Sequence, residues 1–249
     1  MDNKISIRGI NVDNVSMDEA VDIIDGFAAS KSFHAVFTPN AEIVQLCVED
    51  ESIREVVNSA DLIVPDGAGV VLASKILGRP LKSKVAGVDL GKHAIELSEK
   101  KGYKVYFVGG KPGIAELAAE KLKESYPNFN LVGTHDGYFA KEGEKSERVI
   151  DDICAKAPDI LFVCFGVPAQ EKWIFANRDR LKDIGLIMGL GGSLDSYAGT
   201  VKRAPDIFIK LILEWFYRLI KEPRRIGRMM KLPKFIFGTI ICKITGKAK

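Results

Sequence analysis

Over the first 200 residues, short runs rich in β-branched and aromatic residues alternate with helical segments of ten to fifteen residues, and this alternation excludes most architectures. The strand candidates are residues 5–8, 34–38, 62–65, 104–108, 130–134, 160–165 and 186–190. Strands connected one by one through helices build a mostly parallel, Rossmann-like sheet flanked by helices, so the expected fold class is α/β. A composition of 47% hydrophobic and 28% charged residues excludes disorder, collagen and coiled coil. With 249 residues, the chain buries a core without disulfide or metal staples.

Helix starts are legible between the strands. Ser16 followed by Glu19 forms a capping box, in which the hydroxyl takes an orphan N–H and the carboxylate reaches back, opening a helix to about residue 29. Pro112 and Pro168 are expected in first helical turns, where the missing N–H costs nothing. No repeat or low-complexity linker interrupts residues 1–202, which read as one α/β body, with residues 203–249 as a helical appendage. Cys47, Cys154, Cys164 and Cys242 include no C-x-x-C pair and read as buried, reduced thiols. Residues 1–15 contain no apolar run of signal-peptide length, so a cytoplasmic location is expected.

The formal net charge of +3 conceals an asymmetry. Residues 200–249 carry 13 Lys/Arg against 3 Asp/Glu, whereas the preceding residues carry 23 against 30. A basic tail on an acidic body implies a polyanionic partner, either nucleic acid or an anionic membrane surface. Within the tail, residues 206–222 are apolar at 11 of 17 positions, with Lys210, Glu214, Arg218 and Lys221 as a narrow polar stripe. This amphipathic helix is too charged to span a bilayer. If its phase continues past Pro223, Arg218, Arg225 and Arg228 share a face. That face is either solvated or met by an anion. Trp215, Phe216, Tyr217 and Phe235 are residue types that settle at lipid headgroups, and burial against the body or a second subunit of a homo-oligomer is the competing reading.

Open α/β sheets place their ligands at the carboxyl ends of strands, and several polar or glycine-rich clusters fall there. Thr38-Pro39-Asn40 follows the second strand candidate, and Pro65-Asp66-Gly67 follows the third. Asp66 either caps the next helix or serves as a general base. Gly109 and Gly110 lack G-x-G-x-x-G spacing, yet permit a ligand to approach backbone N–H groups. Asp136-Gly137-Tyr138 offers a carboxylate and an aromatic face, or simply an edge turn. Gly166-Val167-Pro168-Ala169-Gln170-Glu171 leads into a helix whose first turn could read a base or sugar hydroxyls. Gly189 to Asp195 ends the last strand, and Arg203 follows. No two Asp are two residues apart, and His34, His93 and His135 have no metal-ligand spacing, so a metal-free reaction without cofactor is expected.

The blocks TPN at 38–40, PDG at 65–67, AGVDL at 86–90, VGG at 108–110, FGVPAQEKW at 165–173, GLGGSLDSYAGTVKRAP at 189–205 and LEWFYRLIKEPRR at 213–225 resemble the WecG/TagA/CpsF glycosyltransferases over nearly the whole chain. The resemblance implies transfer of a sugar from a UDP donor to a polyprenyl-diphosphate-linked sugar at the cytoplasmic face of the bacterial membrane, where the protein would associate peripherally. The best-known members move N-acetylmannosamine to undecaprenyl-diphosphate N-acetylglucosamine for wall teichoic acid, inverting the anomeric centre without a metal. Other members use a mannosaminuronic acid or glucose donor. By position, Asp66 corresponds to the proposed general base, Thr38 to a polar neighbour and Asn40 to a donor-sugar contact.

Gly109, Gly110, Asp136, Gly137, Tyr138, Gly166, Gln170, Glu171, Asp195 and Arg203 are then the expected substrate-binding set. Arg218, Arg225 and Arg228 would fold over the cleft to meet diphosphate. Two readings of the tail from other classes stand beside this one, a nucleic-acid-binding module and an oligomerisation helix. The aromatics lie among aliphatics instead of interleaving with Lys/Arg, which disfavours nucleic acid.

Overall fold

The computed structural model describes residues 4–201, Phe208, Gly227 and residues 230–246. In chain order the elements are β1 (Lys4–Ile7), β2 (Ile10–Asp13), α1 (Met17–Ala29), β3 (Ala35–Phe37), α2 (Ala41–Glu49), α3 (Glu51–Asn58), β4 (Leu62–Ile63), α4 (Ala68–Ile76) and α5 (Gly87–Lys101). There follow β5 (Lys104–Gly109), α6 (Ile114–Lys123), β6 (Asn130–His135), α7 (Glu144–Lys156), β7 (Ile160–Cys164), α8 (Ala169–Ala176), β8 (Leu186–Gly189), α9 (Ser193–Tyr197) and α10 (Lys231–Thr245).

The α/β expectation holds. Six strands form an all-parallel sheet in the order β4-β3-β8-β7-β5-β6. Successive strand residues face opposite layers, as the pleat requires. Phe37, Ile63, Tyr106, Val108, Leu161, Val163 and Ile187 pack with α2, α3, α4, α7, α8 and α10, whereas Val36, Leu62, Val105, Phe107, Phe162 and Met188 pack with α1, α5, α6 and α9. Burial on both faces explains why these strands read as continuous apolar runs.

Three local expectations need correction. The strand candidate at 5–8 is not in this sheet; β1 pairs antiparallel with β2 through a tight turn at Arg8 (φ 52°) and Gly9 (φ 86°). Positive φ at both turn positions matches the twist of a two-residue hairpin, and Ile7, Ile10 and Val12 bury its inner face. Pro112 lies before the Gly113 cap of α6, and Pro168 is itself the N-cap of α8, so neither occupies the first helical turn. Of the four free thiols, Cys154 is exposed. The Ser16–Glu19 capping box at α1 is present as expected.

Helix α10 lies on the body. Phe235 is completely buried and belongs to the same core as Val44 and Val70, which decides its side chain for protein and against lipid. Lys234 Nζ donates to Glu49 Oε1 at 2.6 Å, and Lys231 adds a longer contact at 3.5 Å. The Lys234 hydrogen bond, together with that from Gln45, holds the Glu49 carboxyl down to about 2. A depressed carboxylate contributes stability that is complete above its unfolded value near 4.5 and is lost as pH falls towards 2. Amide protection of α10 is therefore expected to fall over that acid range, and Glu49→Gln should abolish this pH dependence in a hydrogen-exchange series. Unchanged protection between pH 5 and pH 2 would remove Glu49 as the anchor.

Candidate active site

The strand order, combined with the side to which each strand sends its following helix, opens the cleft. The chain leaves β3 and β7 towards α2 and α8 on one face, and leaves β8 and β5 towards α9 and α6 on the other. Neighbouring carboxyl ends therefore diverge between β3 and β8, between β8 and β7, and between β7 and β5. The motif blocks after these strands are brought side by side along one edge, with those after β4 and β6 at the two ends.

Thr38 and Asn40 follow β3. The Thr38 hydroxyl donates to the Gly189 carbonyl at the end of β8 (3.4 Å), and a methyl group on Gly87 would lie 2.7 Å from that hydroxyl oxygen. Thr38 thus sits against the start of α5. Asn40 caps α2 by accepting from the Ile43 N–H (3.1 Å), which commits its oxygen and leaves its amide nitrogen for other partners. Asp66 is half-buried in the loop after β4, where the preceding carbonyl, that of Pro65, accepts from the Val85 N–H (2.9 Å). The N-cap of α4 is Gly67, so Asp66 is not the capping residue of that helix. A methyl on Gly67 would touch Asn40 Cβ at 3.5 Å, which joins the Thr38–Asn40 and Asp66 loops.

On the other side, the Gly110 N–H donates to the Cys164 carbonyl (3.2 Å), and the Gly137 N–H donates to the Gly110 carbonyl (2.8 Å). These bonds lace the loops after β7, β5 and β6 together. Asp136 accepts from the Tyr138 N–H (2.6 Å), a tight turn that leaves the Tyr138 ring 70% exposed. Lys141, absent from the sequence reading, fixes this loop. Its ammonium donates to the Gly137 and Phe139 carbonyls (2.6 and 2.9 Å) and lies 3.7 and 4.1 Å from the ring centres of Phe139 and Phe165. Burial lowers its pKa, and Asp136 opposes that effect. Nothing in the spacing around Lys141 signals the cage, because Phe165 arrives from another strand.

Gln170 and Glu171 are both 2% exposed and face inward from the first turn of α8. Asp195 lies on α9, where its backbone carbonyl accepts from Thr200 and Val201. Cys164 at the end of β7 is fully enclosed, and burial pushes its thiol up to about 12, so it is no nucleophile at neutral pH. Arg203, Arg218, Arg225 and Arg228 lie outside the described residues.

Helix starts supply the remaining electrostatics. Helices α1, α2 and α3 are capped by the side chains of Ser16, Asn40 and Asp50. By contrast α4, α5, α6, α8 and α9 begin beside the cleft with no side-chain cap. At three of these starts the Ile114, Gln170 and Ser193 N–H groups donate to the Lys111, Gly166 and Leu190 carbonyls, and the positive dipole ends of the longer helices α4, α5, α6 and α8 favour an anion.

Comparisons with known proteins identify the family. The model for the glycosyl transferase WecG/TagA/CpsF family matches residues 5–249. A protein of Staphylococcus aureus (strain MW2) named N-acetylglucosaminyldiphosphoundecaprenol N-acetyl-beta-D-mannosaminyltransferase is 36% identical over 236 residues, covering 94% of this chain and 91% of its own. A protein of the same name from Bacillus spizizenii is 39% identical over 205 residues, covering 82% of this chain and 78% of its own. With a family model matching residues 5–249 and relatives 36% and 39% identical over most of both chains, the chain belongs to the WecG/TagA/CpsF family and is a glycosyltransferase.

Proposed function

We propose that this enzyme moves N-acetylmannosamine from UDP-N-acetylmannosamine to the 4-hydroxyl of undecaprenyl-diphosphate N-acetylglucosamine, with inversion and with Asp66 as general base. The observation that carries the reading is the joining of the Asp66, Thr38 and Asn40 loops beside uncapped helix starts, in a chain similar to enzymes named for that acceptor and sugar. In the reaction, the acceptor hydroxyl attacks the anomeric carbon in line, its proton passes to the Asp66 carboxylate, and the bond from that carbon to the UDP oxygen breaks. The departing diphosphate gathers negative charge, which N–H groups at helix starts and Arg218, Arg225 and Arg228 would meet.

An anionic membrane surface is part of the same proposal. Among the described residues no helix is long and apolar enough to cross a membrane. The outer face of α10 nonetheless exposes Phe237, Ile240, Ile241 and Ile244 beside Lys234 and Lys243, a composition suited to lying at a headgroup boundary.

The test is incubation with a short-chain lipid-diphosphate N-acetylglucosamine and a panel of UDP-sugars, with and without phosphatidylglycerol vesicles, reading UDP release. Release with UDP-N-acetylmannosamine, strengthened by vesicles, is expected. Release only with a mannosaminuronic acid or glucose donor would overturn the sugar assignment, and no release with any UDP-sugar would overturn the donor class.

A further inference from the structure

The Gln170–Glu171 pair is a buried polar unit at the cleft that the proposed chemistry leaves unused. The Gln170 side-chain oxygen accepts from two backbone groups, the Gly166 N–H after β7 (3.3 Å) and the Gly191 N–H after β8 (2.9 Å). Its amide nitrogen donates to Glu171 Oε1 (2.9 Å). Glycine at 189 leaves room for the amide; a methyl there would lie 3.0 Å from Gln170 Nε2 and crowd it. The Gly189 carbonyl in turn accepts from Thr38. One side chain thus links the carboxyl ends of β7 and β8, and β8 passes the link on to β3.

An amide has two unlike ends, and here their assignment matters. Reversed, the Gln170 nitrogen would oppose two N–H donors, leaving three donors face to face in a partly buried site. On the other side of the amide, Glu171 Oε1 accepts from the Gln170 nitrogen and so reinforces the end that the two N–H donors require. Glu171 is almost fully enclosed, its Oε2 has no hydrogen-bond partner among the described residues, and burial raises its pKa against the opposing hydrogen bond from Gln170. A carboxyl held there against its own desolvation cost needs a function, and accepting from Gln170 is the one its geometry provides.

We propose that Glu171 is a positioning residue: by accepting from the Gln170 amide it reinforces which end of that amide faces the glycine loops after β7 and β8, and the clamped loops keep the shape that receives the donor nucleotide. The consequence for the nucleotide rests on the UDP-sugar reading above; the clamp itself does not.

The test compares Glu171→Leu, which removes the acceptor at similar bulk, with Glu171→Gln, which keeps a carbonyl acceptor and cannot ionise. In the full chain, Glu171→Leu is expected to weaken UDP binding about tenfold, the equivalent of one misplaced buried hydrogen bond, while Glu171→Gln stays within about threefold of wild type. In glycine-labelled protein, the Gly166 and Gly191 amides should exchange faster with solvent in the Leu variant and remain protected in the Gln variant. That readout keeps the proposal testable even where the Leu variant is less stable, because amides in the sheet interior report general loosening separately.

A Leu variant that melts earlier but binds UDP as wild type, with both glycine amides protected, would overturn the proposal and leave a structural role. A folded Gln variant as impaired as the Leu variant would also overturn it, pointing to contact between the ionised carboxylate and ligand. Failure of wild-type protein to bind UDP would instead overturn the donor reading, and the glycine amides alone would then decide the clamp.

Discussion

Asp66→Asn is expected to lower kcat by about 10²–10⁴-fold while leaving UDP affinity and melting temperature close to wild type. Asn matches Asp in size and in its acceptor oxygen, so the loop after β4 keeps its shape, and helix α4 keeps its own cap at Gly67. On the proposed mechanism, what is lost is the capacity to take the proton of the acceptor hydroxyl as it attacks. Removing a proton acceptor acts on the transition state and not on ground-state binding, so kcat and kcat/KM should fall together. The measurement is UDP release with a lipid-diphosphate acceptor, alongside calorimetric UDP binding. Retention of more than about one-tenth of the activity would exclude Asp66 as the base, since that loss lies below the usual range of general-base effects.

Gly109→Ala is expected to cost about 3–5 kcal/mol of stability, adding a strained backbone to an overpacked contact. Gly109 ends β5 at φ 142°, a conformation that side-chain-bearing residues rarely adopt. A methyl there would lie 2.6 Å from the Cys164 carbonyl carbon of β7, which is backbone and cannot swing aside. The Gly137 loop also rests on Gly109, so displacement would spread to β6. For a chain of this size the melting temperature should fall by about 6–20 °C. Gly26→Ala is the control: nothing lies within 4 Å of its added methyl, and it occupies the interior of α1, so a small stabilisation is expected. If Gly109→Ala melted within about 2 °C of wild type, close packing of β5 on β7 would not constrain this position.

Much of the site was legible as positions without partners. Thr38, Asp66, Gly137 and Gly166 each follow a strand, and Gly109 ends one, so sequence placed each at a carboxyl edge. It did not show that Thr38 meets Gly189, 151 residues later in the chain. Gln170 and Glu171 illustrate the difference in the other direction. Their place in the first turn of α8 suggested side chains offered to a ligand, whereas the fold turns both inward, one as a bridge between loops and one against it. Lys141 was missed for the same reason, since half of its aromatic cage comes from Phe165. The hairpin strand β2 alternates Ile10 and Val12 with Asn11 and Asp13, yet it pairs only with β1 outside the main sheet, through a turn that Gly9 permits.

By itself the sequence determined the α/β class, the run of parallel strands, the Ser16 cap and the location of polar blocks at strand ends. These follow from side-chain period, capping chemistry and glycine or proline backbone limits, all settled within a few residues of chain. The tertiary structure alone decided the order β4-β3-β8-β7-β5-β6, the inward turn of Gln170, and the burial of Phe235 against α2 and α4. Those outcomes depend on which apolar faces exclude water together and which buried polar groups find partners across long separations. Local chemistry leaves both open until the sheet has closed over its two layers.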